Sequence, residues 1–268
     1  MPLTLAFLAV ISDLTTLEAN VTSACSSKMG ALQRHTKSSG HVIRIGRSGI
    51  CYDGAIEKNG GSSLIKAIKS IPDRNSPVIV IRSQGGDANV GLDIAEAIIH
   101  RKSSVIDYDY CISSCANYVL ASGYRKIVNR DAVLGFHGGA ESVSFSQILF
   151  AFKQMGVPNP LQLARHAQLG LNATAHRQSV FLDKSGISEK LFDWINDFNN
   201  LPDKKRKAIC SDSSNYIVFS PTFLSSFGYH LASYKGPSSP IELRKALVRI
   251  GDAASAACYV AYQHRNLR

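Results

Sequence analysis

Between Val78 and Gly139 the chain runs three times from an apolar, β-branched stretch into a turn of small or reactive residues. That repetition constrains the fold more than any other feature. Val78–Arg82 breaks at Ser83-Gln84-Gly85-Gly86, Val105–Tyr110 ends at Cys111-Ile112-Ser113-Ser114, and Ala132–Phe136 ends on His137-Gly138-Gly139. Between the first two, Val90, Leu92, Ile94, Ala95, Ala97, Ile98 and Ile99 recur close to helical spacing, and Ala116–Ser122 is a short apolar helix closed by Gly123. Strands alternating with helices imply an α/β class with a mostly parallel sheet. Ligands of such sheets gather beyond the carboxyl ends of the strands, so all three turns are expected at one edge.

The residue types in those turns belong to one chemistry. Paired glycines let backbone approach a ligand and expose N–H groups. A serine at a helix start, as Ser114 is, lies beside unpaired amides at the positive end of the macrodipole. A histidine on a neighbouring strand end can take the serine proton. Singly, each has a plain explanation: Ser114 as a helix cap, Gly85-Gly86 as a turn, His137 as a structural histidine. Together, in this order, they point to a site.

The same residues resemble the Clp protease proteolytic subunit and its wider serine peptidase relatives, which include signal peptide peptidase A. Ser83-Gln84-Gly85-Gly86 with Gly91 is similar to the family's Ser-Pro-Gly-Gly turn. Ser113-Ser114-Cys115-Ala116 running on to Gly123 is similar to its nucleophile-bearing helix start, and Phe136-His137 to its Ile-His strand end. The nearest likeness is to exported bacterial Clp-like proteins with a Cys-x-x-x-Cys around the serine, an Ala-Asn-Tyr and a Phe-His-Gly. The resemblance spans about residues 41–139. It implies a ββα superhelix of the Clp/crotonase superfamily with a helical insertion after the histidine. It also implies Ser114 as nucleophile, His137 as general base and the Gly86 and Cys115 amides as oxyanion hole. The family's third member, an aspartate, stands four residues before a helix start that Ser220-Pro221-Thr222-Phe223-Leu224 and Gly228 match, and its position here falls on Tyr216. Asn215 and Asp212 are the nearby alternatives.

Six cysteines, at 25, 51, 111, 115, 210 and 258, fit an oxidising compartment. Cys111 and Cys115 flank Ser114 and can bridge if their Cα atoms approach within about 7 Å. Cys210 with Cys258 is a second possible bridge, although spacing alone does not determine pairing. A thiol nucleophile at Cys115 is the competing assignment, and the spacing to Gly123 selects Ser114. Met1–Ile11 is an apolar run of signal-peptide length, too short to span a membrane, with small residues Thr22-Ser23-Ala24 before Cys25. Residues 1–24 are therefore expected to be a leader and the protein periplasmic or secreted, with an N-terminal core helix as the alternative.

The expected organisation is a Clp-like domain over 41–235, with a helical handle at about 144–200, then a C-terminal helix and tail over 236–268. Within it, Ser62 or Ser63 is read as capping a helix to Ile71. Ser144–Met155, Pro160–Leu169, Ala173–Lys184 and Ser188–Asn200 are read as helices. Leu161, Leu163, Ala164, Leu169 and Leu171 are candidates for a subunit contact or for core, and the resemblance implies a homo-oligomer. A net charge of +10 raises nucleic acid as a partner, but no helix-turn-helix, zinc-finger spacing or aromatic-basic sheet motif accompanies it. No metal is expected from the single Cys-x-x-x-Cys, and no cofactor. No Gly-x-x-x-x-Gly-Lys-Ser/Thr segment is present, so the activity implied is ATP-independent. Three readings follow: a serine peptidase acting on peptides or unfolded proteins, a non-catalytic peptide-binding scaffold on the same fold, and crotonase-type acyl-thioester chemistry, which the Clp-like serine–histidine pair disfavours.

Overall fold

The computed structural model describes residues 2–32, 40–140, 143–210, 216–251 and 257–261. Its centre is a seven-stranded, mostly parallel sheet. Strand β1 (His41–Ile45) turns at 46–48 into antiparallel β2 (Gly49–Asp53), and β3 (Val78–Ser83) and β4 (Ser104–Ile112) then pair in parallel with it. The first residues of β4 pair with β5 (Arg125–Val128), its last residues with β6 (Val133–Gly135), and β8 (Ser233–Tyr234) edges β5. The mostly parallel α/β architecture is the expected one, and the carboxyl ends of β3, β4 and β6 lie side by side.

Both faces of the sheet are covered, which is why its strands read as continuous apolar runs. Ile79 and Ile81 of β3 point into the main core with Ile50 and Tyr52. That core also takes the inner faces of α2 (Lys58–Lys69) and α3 (Ala88–Arg101). The intervening Val78 and Val80 point to the opposite face, with Cys51 and Ile106. There they meet Leu17, Val21, Cys25 and Met29 of α1 (Pro2–Leu32), spaced four apart on one helical stripe. The leader boundary expected before Cys25 thus falls inside α1, in a part packed on the sheet. Glu18 is buried and pairs with Arg125 at 2.8 Å. A cut before Cys25 would remove that pair and Val21 while keeping the Cys25–Cys51 disulfide (Cα–Cα 5.5 Å).

Several boundaries differ from the sequence reading. Helix α2 starts at Lys58, ahead of Ser62, because Gly60 and Gly61 are helical and pressed against neighbours. A Cβ on Gly60 would lie 2.8 Å from the Tyr52 hydroxyl, and one on Gly61 2.2 Å from Val90. The handle consists of α4 (Phe145–Gln154) and one continuous α5 (Pro160–Ser185) rather than two helices split near residue 170. Gln168 reaches Asn172 at 2.9 Å and Thr174 bonds back to the Gly170 carbonyl at 3.0 Å, so the glycine does not interrupt the helix. Helix α6 (Lys190–Asn199) buries Trp194 and Phe198, and α7 (Asp203–Ile209) carries the basic run 204–207.

The last segment is also corrected. After β7 (Tyr216–Phe219) and α8 (Pro221–Ser225), α9 (Pro240–Arg249) ends near Gly251, whose φ is +77°. Ala257 therefore belongs not to that helix but to β9 (Ala257–Val260), which pairs in parallel with β7. Cys210–Cys258 ties the end of α7 to β9. Among the described residues no helix is long and apolar enough to cross a membrane.

Candidate active site

Strand β4 extends well past its pairing with β5 and, after a register shift against β3, delivers its last residues to the carboxyl edge. Cys111 and Cys115 form a disulfide with Cα atoms 5.2 Å apart, which encloses Ile112, Ser113 and Ser114. Ser113 has φ +59°, an uncommon conformation for a non-glycine residue. Its N–H bonds the Gly135 carbonyl on β6 at 2.9 Å, and its carbonyl accepts from Asn117 N–H at 2.8 Å. Ser114 then opens a buried one-turn π-helix, Cys115–Leu120, a form that recurs at functional sites. The apolar run 116–122 is thus helical but wider than an α-helix. Ser114 makes no side-chain capping bond, so the plain reading of it as a helix cap does not hold.

The glycine turn packs directly on this serine. A Cβ on Gly85 would lie 3.0 Å from Ser114 N, and one on Gly91 3.3 Å from Ser114 Cβ. Gly86 is a one-residue bridge to Ile56, made by Ile56 N–H to the Gly85 carbonyl and Asp87 N–H to the Ile56 carbonyl, both 2.8 Å. In a trans peptide the C=O and N–H point in opposite directions. Since the Gly85 carbonyl and the Asp87 amide face Ile56, the Gly86 amide and carbonyl both face away from it. That is the side of Ser114, whose Oγ donates to the Gly86 carbonyl at 3.2 Å. The Gly86 N–H has no partner among the described residues, and Cys115 supplies a second amide from the first turn of the π-helix. The Gly86 amide thus lies on the side of the Ser114 hydroxyl.

His137 follows β6, whose Gly135 is paired with Ile112, and its carbonyl accepts from Asn117 Nδ2 at 3.1 Å. The structure therefore brings Gly86, Ser114, Cys115 and the His137 backbone together from three chain segments. It forms no hydrogen bond between Ser114 and His137; the serine proton goes to Gly86. The imidazole is solvent-exposed, yet crowding strips hydration from its charged form and lowers its pKa below the ordinary 6.5. Contacts of the ring with the His137 and Gly138 backbone oppose that shift more weakly. A depressed pKa keeps the ring neutral, hence able to accept a proton, down to a lower pH. The reaction rate of Ser114 with an acyl-type probe is expected to fall off in acid with a midpoint under 6.5, and His137→Ala should remove that limb. A midpoint at 7 or above would contradict this.

Tyr216, where the resemblance places an aspartate, brings a buried phenol rather than a carboxylate to this strand end. Phe136 and Ile217 exchange backbone hydrogen bonds of 2.8 and 2.7 Å, which places Tyr216 opposite His137 in register. Its ring is buried with Ile112 and Val133, 2.7 Å from where a Gly135 Cβ would stand. Asp212 and Asn215, the two alternatives, lie outside the described residues. Two further residues support the site, Asn117 of the Ala-Asn-Tyr, to which the sequence reading gave no role, and Gln178. Asn117 is buried and holds the His137 and Gly138 carbonyls at 3.1 and 3.4 Å. Gln178 of α5 accepts from the Tyr118 hydroxyl at 2.7 Å and from Ala140 N–H at 3.2 Å, which joins the handle to the loop after His137. A lone amide among Ala116, Tyr118, Val119 and Leu120 is the signal that could have found Asn117. For Gln178 no sequence signal exists.

Beyond the edge, α5 docks on α3 through Arg177 to Asp93 at 2.6 Å and Asn89 to Thr174 at 2.9 Å. Leu161, Leu163 and Leu169 stay exposed on it, while Ala164 is buried. No protein-family model and no curated protein matches this chain.

Proposed function

We propose that the protein is an ATP-independent serine hydrolase of the Clp-like type acting on peptides or unfolded protein. The observation that carries this reading is the Gly86 amide, unpartnered and on the Ser114 side of a buried turn. In the reaction Ser114 Oγ attacks the substrate carbonyl as the His137 imidazole takes its proton. The negative oxygen forms beside the Gly86 and Cys115 amides, and the imidazolium returns the proton to the leaving amine. Neither glycine turn nor disulfide-held strand end is needed for a plain helix start.

A second reading, a peptide-binding scaffold without turnover, is favoured by two observations. Ser114 donates to the Gly86 carbonyl, and the aspartate position is a buried tyrosine. An active enzyme must rotate that hydroxyl toward His137 when substrate enters. The exposed leucines of α5 are in keeping with self-association through the handle, and the three disulfides with an oxidising, periplasmic or secreted setting.

Incubation of the purified, oxidised protein with a fluorophosphonate separates the two. The hydrolase reading expects covalent labelling of the wild type, none in Ser114→Ala, and a loss of about 10³-fold or more in rate in His137→Ala, in line with losses on removing a base from such systems. Absence of labelling in the folded wild type would favour the scaffold.

A further inference from the structure

A second concave site lies at the other end of β4. It is a cavity of about 230 Å³ between the ends of α3 and α5, the turn after the π-helix, and the start of β5. Its lining includes Lys102, Lys126 and Lys184 together with Ser122, Ser185 and Gly123, and no carboxylate. Lys126 pairs in register with Val105 near the first residue of β4, whereas Ser114 follows the last. Seven residues of extended strand, at about 3.3 Å each, separate the two levels, so this cavity is not part of the serine site.

Every ion pair among the described residues is made by an arginine. None of the three lysines has a carboxylate within pairing distance among those residues, and none donates a side-chain hydrogen bond there. Burial lowers the Lys126 pKa, and no neighbouring acid offsets it. An ammonium held in partial burial without a counter-ion is costly. The ends of α3 and α5 direct partial negative charge at the cavity, which helps hold the cations but supplies no counter-ion. Lys102 adds a second cost, because it occupies the left-handed C-cap of α3 with φ 48°, a position that glycine fills more cheaply.

We infer that this three-lysine cavity binds a phosphate group through its ammonium groups, the Ser122 and Ser185 hydroxyls of its lining already donating to the Val119 and Leu182 carbonyls at 2.7 and 3.1 Å. The cavity is smaller than the roughly 300–1,000 Å³ typical of sites for drug-sized ligands. It therefore suits inorganic phosphate or the phosphate end of a larger molecule, and the chemistry of recognition is the same for both.

Calorimetric titration of the full chain at constant ionic strength tests this, with inorganic phosphate in one arm and glycerol phosphate in the other. Saturable binding with a Kd on the order of 1 mM or tighter is expected. It should weaken about tenfold in Lys126→Met, the usual scale for one charged hydrogen bond. Lys205→Met, on α7, serves as a control and should leave it unchanged. Tighter binding in the glycerol phosphate arm would assign the site to a phosphate monoester, and tighter binding of the inorganic ion to free phosphate. Lys102→Gly keeps the test sharp if Lys126→Met fails to fold, since glycine suits the backbone there and should preserve the melting temperature while weakening binding. No saturable heat in either arm, or equal affinity in the control and in both cavity variants, would overturn the inference.

Discussion

Gly86→Ala is expected to slow fluorophosphonate labelling about 10²–10³-fold while leaving Ser114 and His137 in place. Gly86 has φ +149°, a backbone conformation in which only glycine is at ease. An added Cβ would stand 2.2 Å from the Ile56 carbonyl oxygen, an acceptor the backbone cannot surrender cheaply because Asp87 N–H bonds to it. The turn must move, and the amide facing Ser114 moves with it. Losing one preorganised donor in an oxyanion site costs about 10²–10³ in rate. The displaced backbone also weakens the bridge to Ile56, so the melting temperature should fall as well. The result that would sink the assignment is a destabilised but folded Gly86→Ala protein that still labels at the wild-type rate. The oxyanion donors would then lie elsewhere.

Arg82→Leu should produce the largest loss of stability. Arg82 is the penultimate residue of β3, three positions before the glycine pair. Its guanidinium makes two bonds to Asp53, at 2.7 and 2.6 Å, and a third to the Met29 carbonyl at 3.0 Å, with both side chains almost wholly buried. Asp109 stands 4.0 Å away and is itself paired with Arg249. Removing the arginine alone leaves a buried carboxylate without its partner, and breaking such a pair costs about 3–5 kcal/mol. Replacing both members by apolar residues should recover much of that, because a buried ion pair is worth little over a well-packed hydrophobic substitute. Urea unfolding of Arg82→Leu, Asp53→Leu and the double variant measures this. A single-variant loss below about 1 kcal/mol would mean that water reaches the pair and screens it. Because Arg82 joins β2, β3 and α1 beneath the turn, its loss should also slow labelling of Ser114.

Much of the site can be read along the chain because each piece is local. A strand run followed by Ser83-Gln84-Gly85-Gly86, or by Cys111-Ile112-Ser113-Ser114, announces itself within a few residues. Parallel pairing then places successive strand ends on one edge. The Cys111–Cys115 bridge is legible for the same reason, with three residues between the two. Cys25–Cys51 is not: it joins a helix to a strand across 26 residues, and which cysteine faces which depends on how α1 lies on the sheet. The misplaced start of α2 has a similar origin. Glycines lower helix propensity, and only contact with Tyr52 and Val90 explains why the first turn contains two of them.

By itself the sequence determined the apolar, β-branched runs of β3 and β4, the strand–helix alternation that makes the sheet parallel, and the chemical identity of its three loaded turns. Those follow from backbone sterics and from the need to bury apolar residues, which act over a few residues at a time. Only the tertiary structure decided where the Ser114 proton goes, that Tyr216 is buried with Ile112 and Val133, and that Asn117 and Gln178 hold the loop of His137. It also gathered three lysines from α3, β5 and α5 around one cavity. Each of these depends on the relative placement of segments distant in the chain, and packing rather than local preference sets that placement.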